Sequence, residues 1–107
     1  MEVELCIISF MSISALEKWY LARCNGDWEH QFGVKIDTLD NPGWTMRIDL
    51  QGTPAESRDL EWQKIERSEH DWIAYRVKNA QFEAAMGPTN LGEGIQLFLD
   101  WFEQTTC

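Results

Sequence analysis

The chain of 107 residues is long enough for one compact domain and too short for two ordinary ones. Hydrophobic residues make up 44% of it and charged residues 25%, and this composition, with six tryptophans, excludes a disordered or low-complexity chain. Eighteen Asp and Glu against nine Lys and Arg give a net charge of −9. That charge argues against binding to nucleic acid or to an anionic membrane, because phosphate groups are bound by cationic side chains. It favours a basic partner.

The cysteines and the N-terminal segment indicate where the protein works. Three widely spaced cysteines predict neither a closed disulfide framework nor a zinc or redox motif, which fits a reducing cytoplasm. The apolar segment 5–11 follows Glu2 and Glu4, where a signal peptide needs basic residues. No segment approaches the roughly 20 apolar residues of a membrane span. We therefore expect a cytoplasmic protein that is neither exported nor membrane-bound, and we expect no cofactor.

The chain divides into a short N-terminal segment and one domain. Residues 1–12 begin with alternating apolar residues and then lose the alternation, which predicts an extra edge strand or a loosely packed arm. Residues 13–107 are expected to form a single domain, because no linker or repeat interrupts them. Its first element is a helix over about residues 15–24, introduced by a capping box of Ser14 and Glu17.

A β-hairpin is predicted after this helix. Residues 31–37 and 44–50 alternate between apolar and polar side chains, the period of half-buried strands. The turn between them has Pro42 to preset φ and Gly43 to accept a positive φ. The residues expected to serve the structure in this part of the chain are Trp28, Pro42, Gly43 and Trp44.

Three further strands and a second helix complete the predicted domain. A strand over residues 60–67 alternates imperfectly, which predicts either a bulge or a Trp62 that faces solvent or a partner. Strands over about 72–77 and 82–84 follow, and an amphipathic helix begins after Asn90. The predicted fold class is α+β, an antiparallel meander of four or five strands with an N-terminal and a C-terminal helix on one face. The other face is left to water or to a partner.

Catalytic and metal chemistry is only weakly indicated. Cys24, Asp27 and His30 are potential ligands, but their spacing matches no zinc or calcium motif. A nucleophilic Cys24 paired with His30 or His70 is disfavoured, because a thiol at the C-terminus of a helix lies at the negative end of the helix dipole, which disfavours the thiolate that a nucleophile needs. We therefore predict no metal site and no catalytic residue, and a small cysteine-dependent enzyme stays as an alternative.

Two surfaces are candidates for binding a partner. One is acidic and bears tryptophans of the kind enriched in interface hot spots, namely Trp62, Glu66, Glu69, Asp71 and Trp72. The other combines the junction after the first helix with the predicted turn, and its residues are Asp27, Glu29, His30, Asp40 and Asn41. The sequence does not rank the two.

Several segments together resemble the bacterial immunity protein 53 family of polymorphic toxin systems. These segments are Cys24 to His30, Thr38 to Trp44, Ile65 to Trp72, and Gly87-Pro88 followed by Asn90-Leu91. The resemblance runs from about Ser14 to Glu103, so residues 1–12 lie outside it. It implies a cytoplasmic antidote that binds the catalytic domain of its cognate toxin and thereby protects the cell that makes both.

Charge and resemblance agree on the nature of the partner. Nuclease toxins carry basic substrate grooves, and an acidic inhibitor gains both steering and electrostatic complementarity against them. We expect the protein to occlude such a toxin domain, burying on the order of 1,600 Å². The alternative is a small acidic interaction module without a toxin partner, which forms a homodimer through the exposed sheet face or through residues 1–12.

Overall fold

Two helices from the ends of the described chain pack on one face of a five-stranded antiparallel sheet. The computed structural model describes residues 12–106, except for the side chains of residues 105 and 106. The predicted arm or edge strand therefore lies outside the described residues, apart from Ser12. The elements in chain order are α1 (Ser12–Arg23), α2 (Trp28–Gln31), β1 (Val34–Leu39), β2 (Gly43–Asp49), β3 (Leu60–Ser68), β4 (Asp71–Lys78), β5 (Gln81–Met86) and α3 (Leu91–Thr106).

The sheet joins a hairpin to a three-stranded meander. Strands β1 and β2 form the predicted hairpin, strands β3, β4 and β5 form the meander, and β5 pairs with β2. The strand order is therefore β1-β2-β5-β4-β3. Residues 50–59 carry the chain from β2 to the far edge, and buried Leu50 and Ala55 hold this connection in the core. The predicted α+β class, antiparallel sheet and terminal helices are confirmed.

The core lies between the helices and one face of the sheet. Helix α3 contributes Ile95, Phe98 and Phe102 at the predicted helical spacing, and α1 contributes Leu16 and Trp19. Alternate residues of the central strands complete it, namely Met46, Ile48, Ile73, Val77, Phe82, Ala84 and Met86. In residues 12–106, no helix has both the length and the apolar character needed to cross a membrane.

The start of the domain differs from its prediction in two places. Helix α1 already includes Ser12, the first described residue, so Ser14 lies inside the helix and the capping box predicted there is wrong. Residues 28–31 form the short helix α2, where the sequence predicted the approach to a strand. The cause is local, because the side-chain oxygen of Asn25 accepts hydrogen bonds from the backbone N–H groups of Asp27 and Trp28 and turns the chain there.

Gly43 is required for a different reason from the one predicted. Its φ is not positive, so the prediction of a left-handed turn residue is wrong; the glycines that adopt positive φ in the described chain are Gly26 and Gly52. Gly43 is instead the first residue of β2, opposite Leu39. A Cβ at this position would overlap the backbone carbonyl oxygen of Met86 on β5, so glycine permits the two strands to approach.

Candidate partner-binding site

The face of the sheet opposite the helices, here called the outer face, carries a row of charged side chains. Lys35, Arg47, Glu83 and Arg76 are neighbours across β1, β2, β5 and β4. They point away from the core because their positions alternate with those of the buried residues. Charged side chains of both signs are readily hydrated, so this row is compatible with a sheet face in contact with water.

Trp62 is the most exposed aromatic side chain on the outer face. It is 51% exposed and lies on β3, where the register shifts between Leu60 and Gln63. The imperfect alternation of this strand predicted either a bulge or an exposed Trp62, and the structure has both. The extra residue lets Leu60 reach the core while Trp62 stays outside.

The indole of Trp62 is held in position by a charged neighbour. The guanidinium carbon of Arg76 lies 4.8 Å from the centre of the Trp62 ring, within the range of a cation–π contact. Arg76 is itself fixed, because its Nε donates a hydrogen bond to Oε1 of Glu83 at 3.0 Å. The ring is therefore ordered before any partner arrives, which reduces the entropy cost of binding.

Trp62 and Trp72 line one depression on the outer face, which we call the Trp groove. It has a volume of about 760 Å³ and is open to solvent. Its side chains include Asn41, Trp62, Glu66, Glu69 and Trp72. The structure thus brings together most of the first predicted surface and adds Asn41 from the second, which the sequence had placed with the residues after α1.

Asp71, the remaining residue of the first predicted surface, is engaged inside the molecule. The guanidinium of Arg67 donates two hydrogen bonds to the Asp71 carboxylate through Nε and one through Nη2, at 2.9–3.0 Å. Nδ2 of the buried Asn90 donates another at 2.9 Å. Asn90 also accepts from the backbone N–H of Trp72, and Arg67 contacts Glu93. These contacts fasten the β3–β4 turn to the start of α3.

Acid is expected to weaken this network. Hydrogen bonds from Arg67 and then from Asn90 lower the pKa of Asp71 below that of the unfolded chain, about 3.9. Because the pKa of Asp71 is lower in the folded chain than in the unfolded chain, its ionised carboxylate stabilises the fold fully at pH values above the unfolded pKa. This stabilisation is lost as the pH falls through the pKa of the folded chain. We expect urea midpoints measured between about pH 6 and pH 3 to fall more for the wild type than for Asp71→Asn. Equal falls in both proteins would contradict a contribution from Asp71.

The second predicted surface is divided by the hairpin. Asp27, Glu29 and His30 lie before the first residue of β1, whereas Asp40 and Asn41 lie after its last. Six extended residues span about 20 Å, so these two groups lie at opposite ends of the strand. The Glu29 carboxylate is engaged within its own turn, where it accepts the backbone N–H groups of Asn25 and Gly26. A hydrogen bond from the backbone N–H of Glu29 itself, followed by those from Asn25 and Gly26, lowers the pKa of this carboxyl group.

The two tryptophans predicted to be structural use their indole N–H groups inside the fold. Trp28 is buried, and its Nε1 donates to the carbonyl oxygen of Gln51 at 2.7 Å. Trp44 is half-buried, and its Nε1 donates to the carbonyl oxygen of Pro88 at 3.0 Å. Each bond ties a strand or helix end to a segment distant in sequence.

The residues considered for chemistry do not converge within residues 12–106. No three His, Cys, Asp or Glu side chains of that region come together at a point where an ion is held. The thiol of Cys24 donates to the carbonyl oxygen of Tyr20 in the last turn of α1, at 3.3 Å. The outer face instead presents an aromatic ring beside Arg76, a depression next to it and a row of mixed charges.

Comparison with known families identifies the class of protein. Residues 13–103, most of the chain, match the family model of an immunity protein, a class that acts as antidotes to toxins and is generally non-catalytic. The chain belongs to the immunity protein 53 family. The resemblance expected from the sequence is thus confirmed over nearly the same residues. Neither the comparison with curated proteins nor that with solved structures gave a match.

Proposed function

We propose that the protein binds and neutralises a cognate polymorphic toxin domain in the cytoplasm of the cell that makes both, and that this toxin is a basic nuclease. The observation that carries the proposal is a net charge of −9 on a member of an antidote family. A nuclease must attract a polyanion, so its substrate groove is basic, and an acidic protein competes for that groove.

Much of the acidic excess lies outside the outer face, which carries the aromatic anchors. On the outer face, Lys35, Arg47 and Arg76 accompany Asp37 and Glu83, so local charges nearly balance. Exposed acidic residues outside that face supply the excess, among them Glu17, Glu56, Asp59 and Asp100. The field of the whole molecule therefore steers a basic partner, while short-range contacts determine where the partner docks.

The Trp groove supplies those short-range contacts in this proposal. Trp62 is exposed and ordered, and a buried aromatic anchor is the commonest hot spot in interfaces. Lys64 lies 3.3 Å from Glu66, whereas Glu69 is exposed beside them, so the groove itself is slightly acidic. A toxin domain seated here would have its substrate groove covered, which gives steric as well as electrostatic occlusion.

The direct test uses the toxin domain encoded beside the gene of this protein. We expect cells that express the toxin domain to survive when they also express the protein, and the purified toxin to lose its nuclease activity on adding the protein. Binding should weaken as salt rises, because steering between exposed charges is screened. A toxin that remains active in the presence of excess protein would contradict the antidote function. Neutralisation of a toxin without nuclease activity would contradict only the toxin type.

Charge reversal in the Trp groove separates the docking site from the general field. We expect Glu66→Lys with Glu69→Lys to slow association by about tenfold and to reduce its salt dependence. The matched control is Glu17→Lys with Asp59→Lys, which changes net charge equally outside the groove and should slow association less. Association rates measured by biolayer interferometry at two salt concentrations check both expectations. Equal slowing by both pairs would remove the groove from the proposal.

A further inference from the structure

The two edges of the sheet are built differently. Edge strand β3 is interrupted by register shifts between Leu60 and Gln63 and between Glu66 and Ser68. Bulges and charges are the usual means by which proteins prevent an edge strand from pairing with another chain. Edge strand β1 pairs with β2 in unbroken register from Val34 to Leu39, and no other strand within residues 12–106 pairs with it. As far as residues 12–106 are concerned, β1 is therefore a regular edge strand with no partner on its outer side.

The two charged side chains of β1 have opposite signs and form no ion pair within the described chain, although the Asp37 carboxylate accepts the backbone N–H of Thr38 at 2.8 Å. Lys35 and Asp37 share the outer face of the strand. The cross-strand neighbour of Lys35 is Arg47, a like charge, and that of Asp37 is the uncharged Thr45. Like charges directly opposite each other are unfavourable, so Arg47 does not compensate the charge of Lys35. A negative side chain on a strand added at the free edge of β1 would do so.

Exposed apolar side chains gather next to this edge. Five large hydrophobic residues of the described chain are exposed, and four of them lie on α1 or β1, namely Ile13, Tyr20, Leu21 and Ile36. Ile36 is 40% exposed although it lies on the same side of the sheet as the core. A shallow apolar groove of about 340 Å³ runs between the two elements, lined by Ile13, Leu16, Tyr20 and Val34. Contiguous patches of this kind mark interaction sites.

We propose that β1 pairs with β1 of a second copy of this chain, antiparallel and about a two-fold axis at Ile36. In that register Ile36 faces Ile36 of the second copy, and Lys35 faces its Asp37 on both sides of the axis. Moving the axis to Lys35 or to Asp37 would place like charges opposite each other. Moving it between residues would place apolar side chains opposite charged ones. The sequence of β1 is thus complementary to itself in one register.

The apolar patch fits the same two-fold arrangement. Antiparallel pairing of β1 brings the α1 helices of the two copies to the same side of the joined sheet, where Ile13, Tyr20 and Leu21 are shielded from water. Pairing of two edge strands alone buries little surface area. The added burial of the apolar side chains on α1 brings the interface toward the roughly 1,200 Å² of stable complexes. The Trp groove opens on the outer face of the sheet, whereas the pairing uses the backbone edge of β1. The proposal therefore does not depend on the proposed function.

Charge exchange on β1 tests the dimer. We expect the wild type to have a concentration-dependent mass in sedimentation equilibrium, reaching that of two chains. K35D and D37K each place like charges opposite each other, and each should weaken dimerisation by at least about tenfold. The double variant K35D/D37K restores opposite charges and should restore the dimer. The matched control is K64D on β3, which makes the same charge change on the other edge and should leave the mass unchanged.

Three results would overturn the proposal. The first is a wild-type mass of one chain across about a hundredfold range of concentration. The second is a dimer that K35D, D37K and the double variant all leave intact, because another surface would then hold it. The third is equal loss in K35D and K64D, which would show an effect of net charge alone. If the wild type stays monomeric and its β1 amides become protected only on adding the toxin domain, the occupant of the edge is the toxin instead.

Discussion

Replacing Trp62 with alanine is expected to weaken binding of the toxin domain by about 30-fold or more, mainly through faster dissociation. The substitution removes the largest exposed ring of the Trp groove, which Arg76 and Glu83 hold in position before binding. The fold should change little, because Trp62 is already 51% exposed and its cation–π contact with Arg76 lies on the surface. Interferometry with the immobilised toxin domain measures both rates.

A second exposed apolar residue provides the control for this experiment. Leu21 is 70% exposed on α1, away from the Trp groove, so Leu21→Ala should leave affinity for the toxin unchanged. Thermal unfolding of both variants shows whether either has lost structure. Wild-type affinity in a folded Trp62→Ala variant would place the docking site elsewhere, and a similar loss in Leu21→Ala would direct attention to α1.

Replacing Phe98 with alanine is expected to lower the free energy of unfolding by about 3–5 kcal/mol. Phe98 on α3 is fully buried at the meeting point of the aromatic core. Its ring centre lies 5.1 Å from those of Trp19 on α1 and Phe82 on β5, and 5.9 Å from that of Phe102. The substitution leaves a cavity between both helices and the sheet, so it removes a large share of the roughly 5–15 kcal/mol typical of a domain.

Urea unfolding followed by tryptophan fluorescence measures this loss. At a concentration where the chain is monomeric, the control is again Leu21→Ala, which removes a side chain that is 70% exposed in the single chain and should change the free energy of unfolding by less than about 0.5 kcal/mol. A loss below about 1 kcal/mol in Phe98→Ala would mean that neighbouring rings refill the space. It would contradict the role of Phe98 as the common contact of α1, α3 and β5.

The fold was largely predictable because its elements carry clear periodic patterns. Alternation indicated the hairpin of β1 and β2, the helical spacing of Ile95, Phe98 and Phe102 indicated α3, and broken alternation around Trp62 indicated the bulge. The pairing of β2 with β5 joins segments more than 30 residues apart, which no local pattern reveals. The short α2 was not predicted, because the turn before it depends on two hydrogen bonds that the Asn25 side chain accepts from Asp27 and Trp28.

The candidate site was predictable in its residue types and less so in its geometry. Exposed tryptophans among acidic residues indicated the region around Trp62, Glu66 and Trp72. That Asn41 lies beside them follows from strand order, which the sequence does not reveal. The hydrogen bonds that Arg67 and Asn90 donate to the Asp71 carboxylate were not predicted, and Asn90 lies 19 residues away in sequence. An Arg four residues before an Asp was the local sign of the first of these contacts.

The irregular register of β3 has a consequence for how the protein behaves at high concentration. A sheet with two regular edges can add molecules at both ends and grow without limit, which is the route to fibres. Here the bulges at both ends of β3 interrupt the row of backbone groups that an incoming strand would need. Among the strands of residues 12–106, β1 is the regular edge at which growth by strand pairing could start, and the pairing proposed above would occupy it. On that proposal, growth ends at the dimer and the irregular β3 protects the dimer against polymerisation.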